Sequence, residues 1–218
     1  MSVSRVYRLH CFAQSGNCFK VAFALRALGQ PFETVFVDYL QGVTRDPAWR
    51  HGTNEMGEVP VLEDGERRLT QSGVILTYLA DKHGRFGGAT PDERLEILRW
   101  LLFDNHKFTG YYASYRFAKA FGATPPDPAV LRWLEGRIDN AFGIVDRHLA
   151  ASPYIVGESP TIADFSMSAY LFYPLEESGY DWPGRFAHIA AWVERLKSLP
   201  GFASPYDVLP GPRLPPKW

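Results

Sequence analysis

The sequence predicts two units in series, a small α/β unit followed by an all-α helical unit. Three observations predict this. Residues 1–83 mix the alternation of strands with the spacing of helices; "HGRFGGATP" then interrupts the pattern with Gly84, Gly87, Gly88 and Pro91; beyond it the apolar spacing is helical almost throughout. The expected organisation is 1–83, a linker at 84–91, and a helical unit at 92–218 with an extended tail.

Each element has its own signal. Tyr7, Leu9 and Cys11 alternate with Arg8 and His10, which predicts a strand. Val21, Ala24, Leu25 and Leu28 fall at helical spacing, with Gly29 placed to end the helix. "PFETVFVD" at 31–38 is β-branched and aromatic and predicts a second strand, joined to the first as a parallel βαβ unit. A less regular stretch runs from Tyr39 to Met56. "EVPVLEDGERRLTQSGVILTYLADKHG" then predicts two strands around Asp64-Gly65 and a helix from Ser72, with Ser72 as its N-cap and Val74, Ile75, Tyr78 and Leu79 on the apolar face.

In the second unit, residues 92–119 form one long amphipathic helix candidate. Leu131, Leu134, Ile138, Phe142, Val145 and Leu149 make a second stripe. Thr161 and Asp164 have the N-cap and N3 spacing of a capping box, with Asp in place of the usual Glu. Phe186, Ile189, Val193 and Leu196 mark a further helix, and the tail "LPGPRLPPKW" is too rich in proline to be anything but extended.

Composition narrows the function classes. Lys+Arg 23 against Asp+Glu 24 offers no basic excess for nucleic acid or an anionic membrane. No stretch approaches the roughly 20 apolar residues of a membrane span, and the first residues lack the apolar run of a leader. Two cysteines, Cys11 and Cys18, provide neither a disulfide framework nor a four-ligand zinc site, so no metal is expected and the cytoplasm, where thiols stay reduced, is the expected compartment.

Four motifs in order, "SGNCFKV", "NEMGEVPVLEDG", "LTQSGVILTYLA" and "SPTIADF", resemble the cytosolic glutathione transferases over nearly the whole chain, from about residue 5 to about 200. The resemblance implies a thioredoxin-like N-terminal domain, a helical C-terminal domain, glutathione as co-substrate, and a homodimer. It further implies that Pro60 follows a cis peptide bond and that the backbone of Val59 meets glutathione like an added strand. Gln71 holds the place of the acid or amide that binds the γ-glutamyl amine. Ser72, opening a helix, suits the γ-glutamyl carboxylate, because a helix N-terminus favours an anion.

The corner "QSGNCFKV" decides how the thiol is handled. By the resemblance, Ser15 stands at the catalytic hydroxyl of the serine-type classes, a position that is Cys in the omega and beta classes. Asn17 matches the Asn of the Thr-Pro-Asn corner in nu-like classes, so Ser15, Asn17 or both stabilise the thiolate. Lowering a thiol pKa from about 8.5 to about 6.5 would raise the thiolate share at pH 7 from a few per cent to roughly three quarters, for about 2.7 kcal/mol. Cys18 takes the second, shielded position of a thioredoxin-type C-x-x-C pair, and Cys11 faces inward by alternation; both read as packed residues. Arg45 is expected near the glycine carboxylate or as a solvated surface Arg, with Trp49 and His51 as lesser candidates, while Glu58 departs from the Gln of many relatives.

For the second substrate, Asn105, Phe108, Tyr112 and Tyr115 follow helical spacing along one face, lining a pocket or packing a core. The expected reaction is addition of the glutathione thiol to an apolar electrophile. The alternatives are thiol exchange on a disulfide or peroxide, and a non-catalytic glutathione-binding protein on the same fold. A zeta-like isomerase is disfavoured because the corner lacks Ser-Ser-x-Ser.

Overall fold

The structure, a computed structural model, describes residues 6–218. Its backbone falls into two compact units: the first reaches to Arg85 and takes back Pro200–Arg213, and the second comprises Phe86–Leu199 and Leu214–Trp218.

The first unit is built on β1 (Tyr7–Cys11), α1 (Gly16–Ala27), β2 (Phe32–Phe36), α2 (Pro47–Gly52), β3 (Val61–Asp64), β4 (Arg67–Thr70) and α3 (Ser72–His83). The sheet order is β2-β1-β3-β4, with β1 and β2 parallel and the other pairs antiparallel. Tyr7, Leu9 and Cys11 are buried, and α1 and α3 pack together with Ile75, Leu76 and Leu79 inward. The Tyr7 hydroxyl meets His83 Nε2 at 2.9 Å, which places α3 on that face. On the other face the register lines up Glu33, Arg8, Glu63 and Arg68, one from each strand, in alternating charge. Arg8 donates to Glu63 at 2.9 Å and Arg68 at 3.3 Å, so opposite charges pair across the strands. Asp64 pairs with Arg67, leaving Gly65-Glu66 as the hairpin loop, and Gly65 takes the φ of 64° that so tight a turn needs.

The second unit contains α4 (Pro91–Phe103), a π-helical segment at Asp104–Phe108, α5 (Thr109–Ala120), α6 (Pro128–Leu149), α7 (Ile162–Ser168), α8 (Trp182–Arg185) and α9 (Ala187–Lys197). Thr90 caps α4 in a full capping box with Glu93, and Pro91 sits at the first turn where its missing N–H costs nothing. The long helix expected over 92–119 is therefore continuous but widened at its middle by one π turn. Gly110 follows that turn, where an added Cβ would stand 2.7 Å from the Asn105 carbonyl oxygen.

The α6 stripe is buried as its spacing requires: Leu134, Ile138, Phe142, Val145 and Leu149 all face inward. Each such side chain contributes about 1.5–3 kcal/mol of burial. Asp164 completes the capping box of α7 and, fully buried, accepts from Thr161 N (2.8 Å), Thr161 Oγ1 (3.0 Å), Ile155 N (2.9 Å) and Trp192 Nε1 (2.9 Å). It thus ties α7 to α9 and to the 155 loop. Arg116 and Glu177 form a buried ion pair, with the guanidinium 3.9 Å from the Tyr173 ring centroid. In the first unit, a last turn, α10 (Pro205–Val208), packs against α1, and the proline-rich chain after it has no regular structure.

Candidate functional site

One edge of the first sheet collects the candidate residues, and strand direction explains why. The chain leaves β1 at Cys11 and enters α1 through Ser15. Because β3 runs antiparallel to β1, it starts at this same edge, just after Val59-Pro60; because β4 runs antiparallel to β3, it ends there, at Gln71-Ser72. Three loops far apart in sequence so meet at one place, the carboxyl edge where open α/β units bind ligands.

Ser15 is the N-cap of α1. Its backbone is extended and its Oγ accepts from Cys18 N at 3.2 Å, with only 6% of the residue exposed. A hydroxyl has one proton and two lone pairs, so accepting from Cys18 keeps the O–H as a donor. No acidic residue stands in the first turn of α1, and the positive end of the helix is not offset from within. Asn17 lies in that first turn, and its Oδ1 is buried without a hydrogen-bond partner among the described residues. Cys11 and Cys18 are both buried; burial pushes the Cys18 thiol up to about 12 against the pull of Ser15, and Cys11 further in the same direction. Neither forms a thiolate at neutral pH.

The Val59-Pro60 peptide bond is cis, and Val59 lies beyond the last ladder pair of β3, which is Val61 with His10 and Thr70. The turn before it is organised by Asn54, buried, whose Nδ2 donates to Glu58 O at 2.8 Å and whose Oδ1 accepts from Met56 N at 3.1 Å. Gly57 has φ 69°, and a Cβ there would stand 2.8 Å from Thr44 O. Sequence reasoning passed over Asn54; the Asn at the start of "NEMG", three residues before a glycine, is the signal that could have found it.

Gln71, not Ser72, is the N-cap of α3. The turn out of β4 demands φ 64° at Gln71, and this moves the helix boundary one residue upstream and makes Ser72 its first helical residue. Ser72 is buried at the N-terminus, with no acid in the first turn. The Gln71 side chain does not cap: its Nε2 donates to Glu58 Oε2 at 2.8 Å and to Met56 Sδ at 3.2 Å. Arg45 ends a 3-10 turn and is exposed; Trp49 and His51 lie on α2, a helix where the sequence pattern is irregular.

Two further features flank Ser15. Phe12, whose carbonyl accepts from Ser15 N, stacks on Tyr39 with centroids 4.9 Å apart. Gln14 Nε2 donates to Pro212 O at 2.6 Å, which draws the proline-rich chain to the corner.

In the helical unit, Phe108 stacks on Phe142 at 4.3 Å, the Tyr112 hydroxyl meets Ser178 Oγ at 3.1 Å, and Tyr115 donates to Glu135 at 2.8 Å. All three rings are buried and packed within that unit, whereas Asn105 is exposed.

Residues 9–89 match the family model for the glutathione S-transferase N-terminal domain, and residues 127–195 that for the C-terminal domain. A glutathione S-transferase from Pseudomonas fluorescens superposes with a TM-score of 0.83 at 32% identity, covering 92% of this chain and 98% of its own. The chain belongs to the cytosolic glutathione transferase superfamily. Glutathione S-transferase F14 of Arabidopsis thaliana is 29% identical over 205 residues, 89% of this chain and 80% of its own length. The structure of a glutathione S-transferase from Xanthobacter autotrophicus is 30% identical with a TM-score of 0.82, covering 92% of this chain and 98% of its own. The thioredoxin-like sheet with a helical C-terminal unit is thus a glutathione transferase fold in sequence and in shape.

Proposed function

We propose that this glutathione transferase binds glutathione along the edge formed by Ser72, Val59 and Ser15, ionises its thiol, and adds the thiolate to an apolar electrophile. The observation that carries this reading is Ser15 as N-cap of α1, with its Oγ lone pair on Cys18 N and its proton available for a sulfur. The γ-glutamyl carboxylate takes the α3 N-terminus at Ser72, the cysteinyl backbone takes Val59 beside Pro60, and Arg45 meets the glycine carboxylate. The sulfur then falls at Ser15, where hydroxyl and helix dipole both favour the anion. Binding fixes the nucleophile in place, and the thiolate supplies the reactivity.

The flat Phe12-Tyr39 pair beside Ser15 supports an aromatic or otherwise apolar acceptor. A detoxifying role in the cytoplasm follows from that chemistry and from buried, reduced cysteines. A homodimer is supported by Leu95, Leu98 and Leu102, which share one face of α4 and are 65%, 49% and 63% exposed. Among the described residues no helix is long and apolar enough to cross a membrane.

A second reading rests on Asn17 in the first turn of α1, whose Oδ1 is buried without a hydrogen-bond partner among the described residues and whose amide N–H is a donor suited to a thiolate, in an enzyme that reduces disulfides or peroxides. Steady-state rates with glutathione and 1-chloro-2,4-dinitrobenzene, against rates with a mixed disulfide and cumene hydroperoxide, separate the two. Conjugation lost in Ser15→Ala and retained in Asn17→Ala supports the first. Disulfide or peroxide turnover lost only in Asn17→Ala supports the second, and tight glutathione binding with no turnover at all points to a binding protein.

A further inference from the structure

The γ-glutamyl head of glutathione is a zwitterion, with a carboxylate and an ammonium on one carbon. A site that takes both needs a positive and a negative pole side by side. The N-terminus of α3 gives the positive pole at Ser72, but its N-cap neighbour Gln71 is a neutral amide.

Gln71 also has little left to offer. Its Nε2 is committed to Glu58 Oε2 at 2.8 Å and Met56 Sδ at 3.2 Å, so only Oε1 remains to accept a proton. Its φ of 64° is a conformation that side chains rarely adopt, and in it the side chain turns back over the 56–58 turn rather than capping its own helix.

Glu58, by contrast, has no cation on its carboxylate among the described residues. Its carboxylate is exposed, its partner among the described residues is the Gln71 amide, and it forms no ion pair. The acids of β3 are engaged, Glu63 by Arg8, His10 and Arg68, and Asp64 by Lys82 and Tyr78, whereas Glu55 in the same turn has no contact with Gln71 among the described residues. The Glu58 backbone is fixed as well, its carbonyl held by the buried Asn54. An unneutralised carboxylate on a fixed backbone, hydrogen-bonded to the residue that precedes a helix N-terminus, makes the second pole.

On the reading that glutathione binds at this edge, we propose that Glu58 is the residue that receives its γ-glutamyl ammonium. Gln71 is a positioning residue that aims the Glu58 carboxylate and adds one acceptor through Oε1. The site therefore selects thiol peptides with a free α-amino acid head and discriminates against the same peptide without its amine.

The test is a cycle of dissociation constants by calorimetry. The ligands are glutathione and 4-carboxybutanoyl-cysteinylglycine, which differs only in lacking the amine. The proteins are the wild type, Glu58→Gln and Glu55→Gln, the last an exposed acid three residues upstream. A charge-assisted contact to an exposed carboxylate leads us to expect about two- to fivefold weaker glutathione binding in Glu58→Gln and unchanged binding of the des-amino peptide. Glu55→Gln is expected to match the wild type for both ligands. Equal loss of both ligands in Glu58→Gln, or no loss of glutathione, would overturn the proposal. If the wild type binds neither peptide, the glutathione site itself is wrong and Glu58 falls with it, an outcome that circular dichroism of the folded wild type separates from misfolding.

Discussion

Replacing Gln71 with Ala and with Gly makes a sensitive test of strain at the site, because the two should rank in the reverse of the usual order. In an ordinary position Gly is less stable than Ala by about 0.5–1 kcal/mol, through its larger unfolded-state entropy. At residue 71 the backbone sits at φ 64° and ψ 115°, outside the wells that a Cβ tolerates. Holding a non-glycine residue there costs on the order of 1–3 kcal/mol, which Gly does not incur. Both variants lose the Glu58 and Met56 contacts equally, so those terms cancel in the comparison. The difference left is about 1 kcal/mol in favour of Gly, within a range from near zero to about 2.5. For a chain of 218 residues that corresponds to roughly 2–4 °C in Tm. Urea titration and calorimetry of the two variants measure it, and glutathione affinity falls in both. Gln71→Ala equal to or more stable than Gln71→Gly would refute the argument that the site stores strain at this residue.

Asp164→Asn puts an amide NH2 among four donors, from Ile155, Thr161 twice and Trp192; we expect a loss of about 3–5 kcal/mol, seen as a large drop in the urea midpoint. Glu63, although burial pulls its pKa upward, is held below the usual carboxylate value by the His10 hydrogen bond and by the charges of His10, Arg8 and Arg68. Its folded pKa being the lower, the stability it adds is present above the unfolded value and is lost as pH falls through the folded one. The urea midpoint should therefore fall more steeply below pH 4.5 in the wild type than in Glu63→Gln. Leu98→Glu with Leu102→Glu should turn a dimer into a monomer by sedimentation at unchanged helix content, and an unaltered sedimentation coefficient would remove α4 from the interface.

Much of this architecture was legible because its signals are local. Alternation at Tyr7, Leu9 and Cys11, the stripe from Leu134 to Leu149 and the Thr161–Asp164 spacing each state a period or a cap within a few residues, and each forms the element expected. The helix α2 was missed because its six residues bury no apolar stripe. Its signal was chemical, Asp46 capping through Ala48 N with Pro47 at the first position. Residue preference points to Ser72 as the cap, whereas the geometry of leaving β4 sets the boundary at Gln71. The Glu58–Gln71 contact joins residues 13 apart through the fold, and nothing local announces it. The stripe Phe108, Tyr112 and Tyr115 was ambiguous for the same reason: Phe142 and Ser178, the partners that bury it, come from α6 and the turn before α8.

The central claim is that Ser15 holds the glutathione thiolate, and the pKa of the bound thiol tests it most directly. Ultraviolet difference absorbance of the thiolate across pH 5 to 9 gives that pKa for the wild type, Ser15→Ala, Asn17→Ala and Cys18→Ala. The account predicts that Ser15→Ala alone raises it by about one unit or more, a loss of about 1.4 kcal/mol or more of thiolate stabilisation. An unchanged pKa in Ser15→Ala, with a rise in Asn17→Ala, would contradict it and move the thiolate to Asn17.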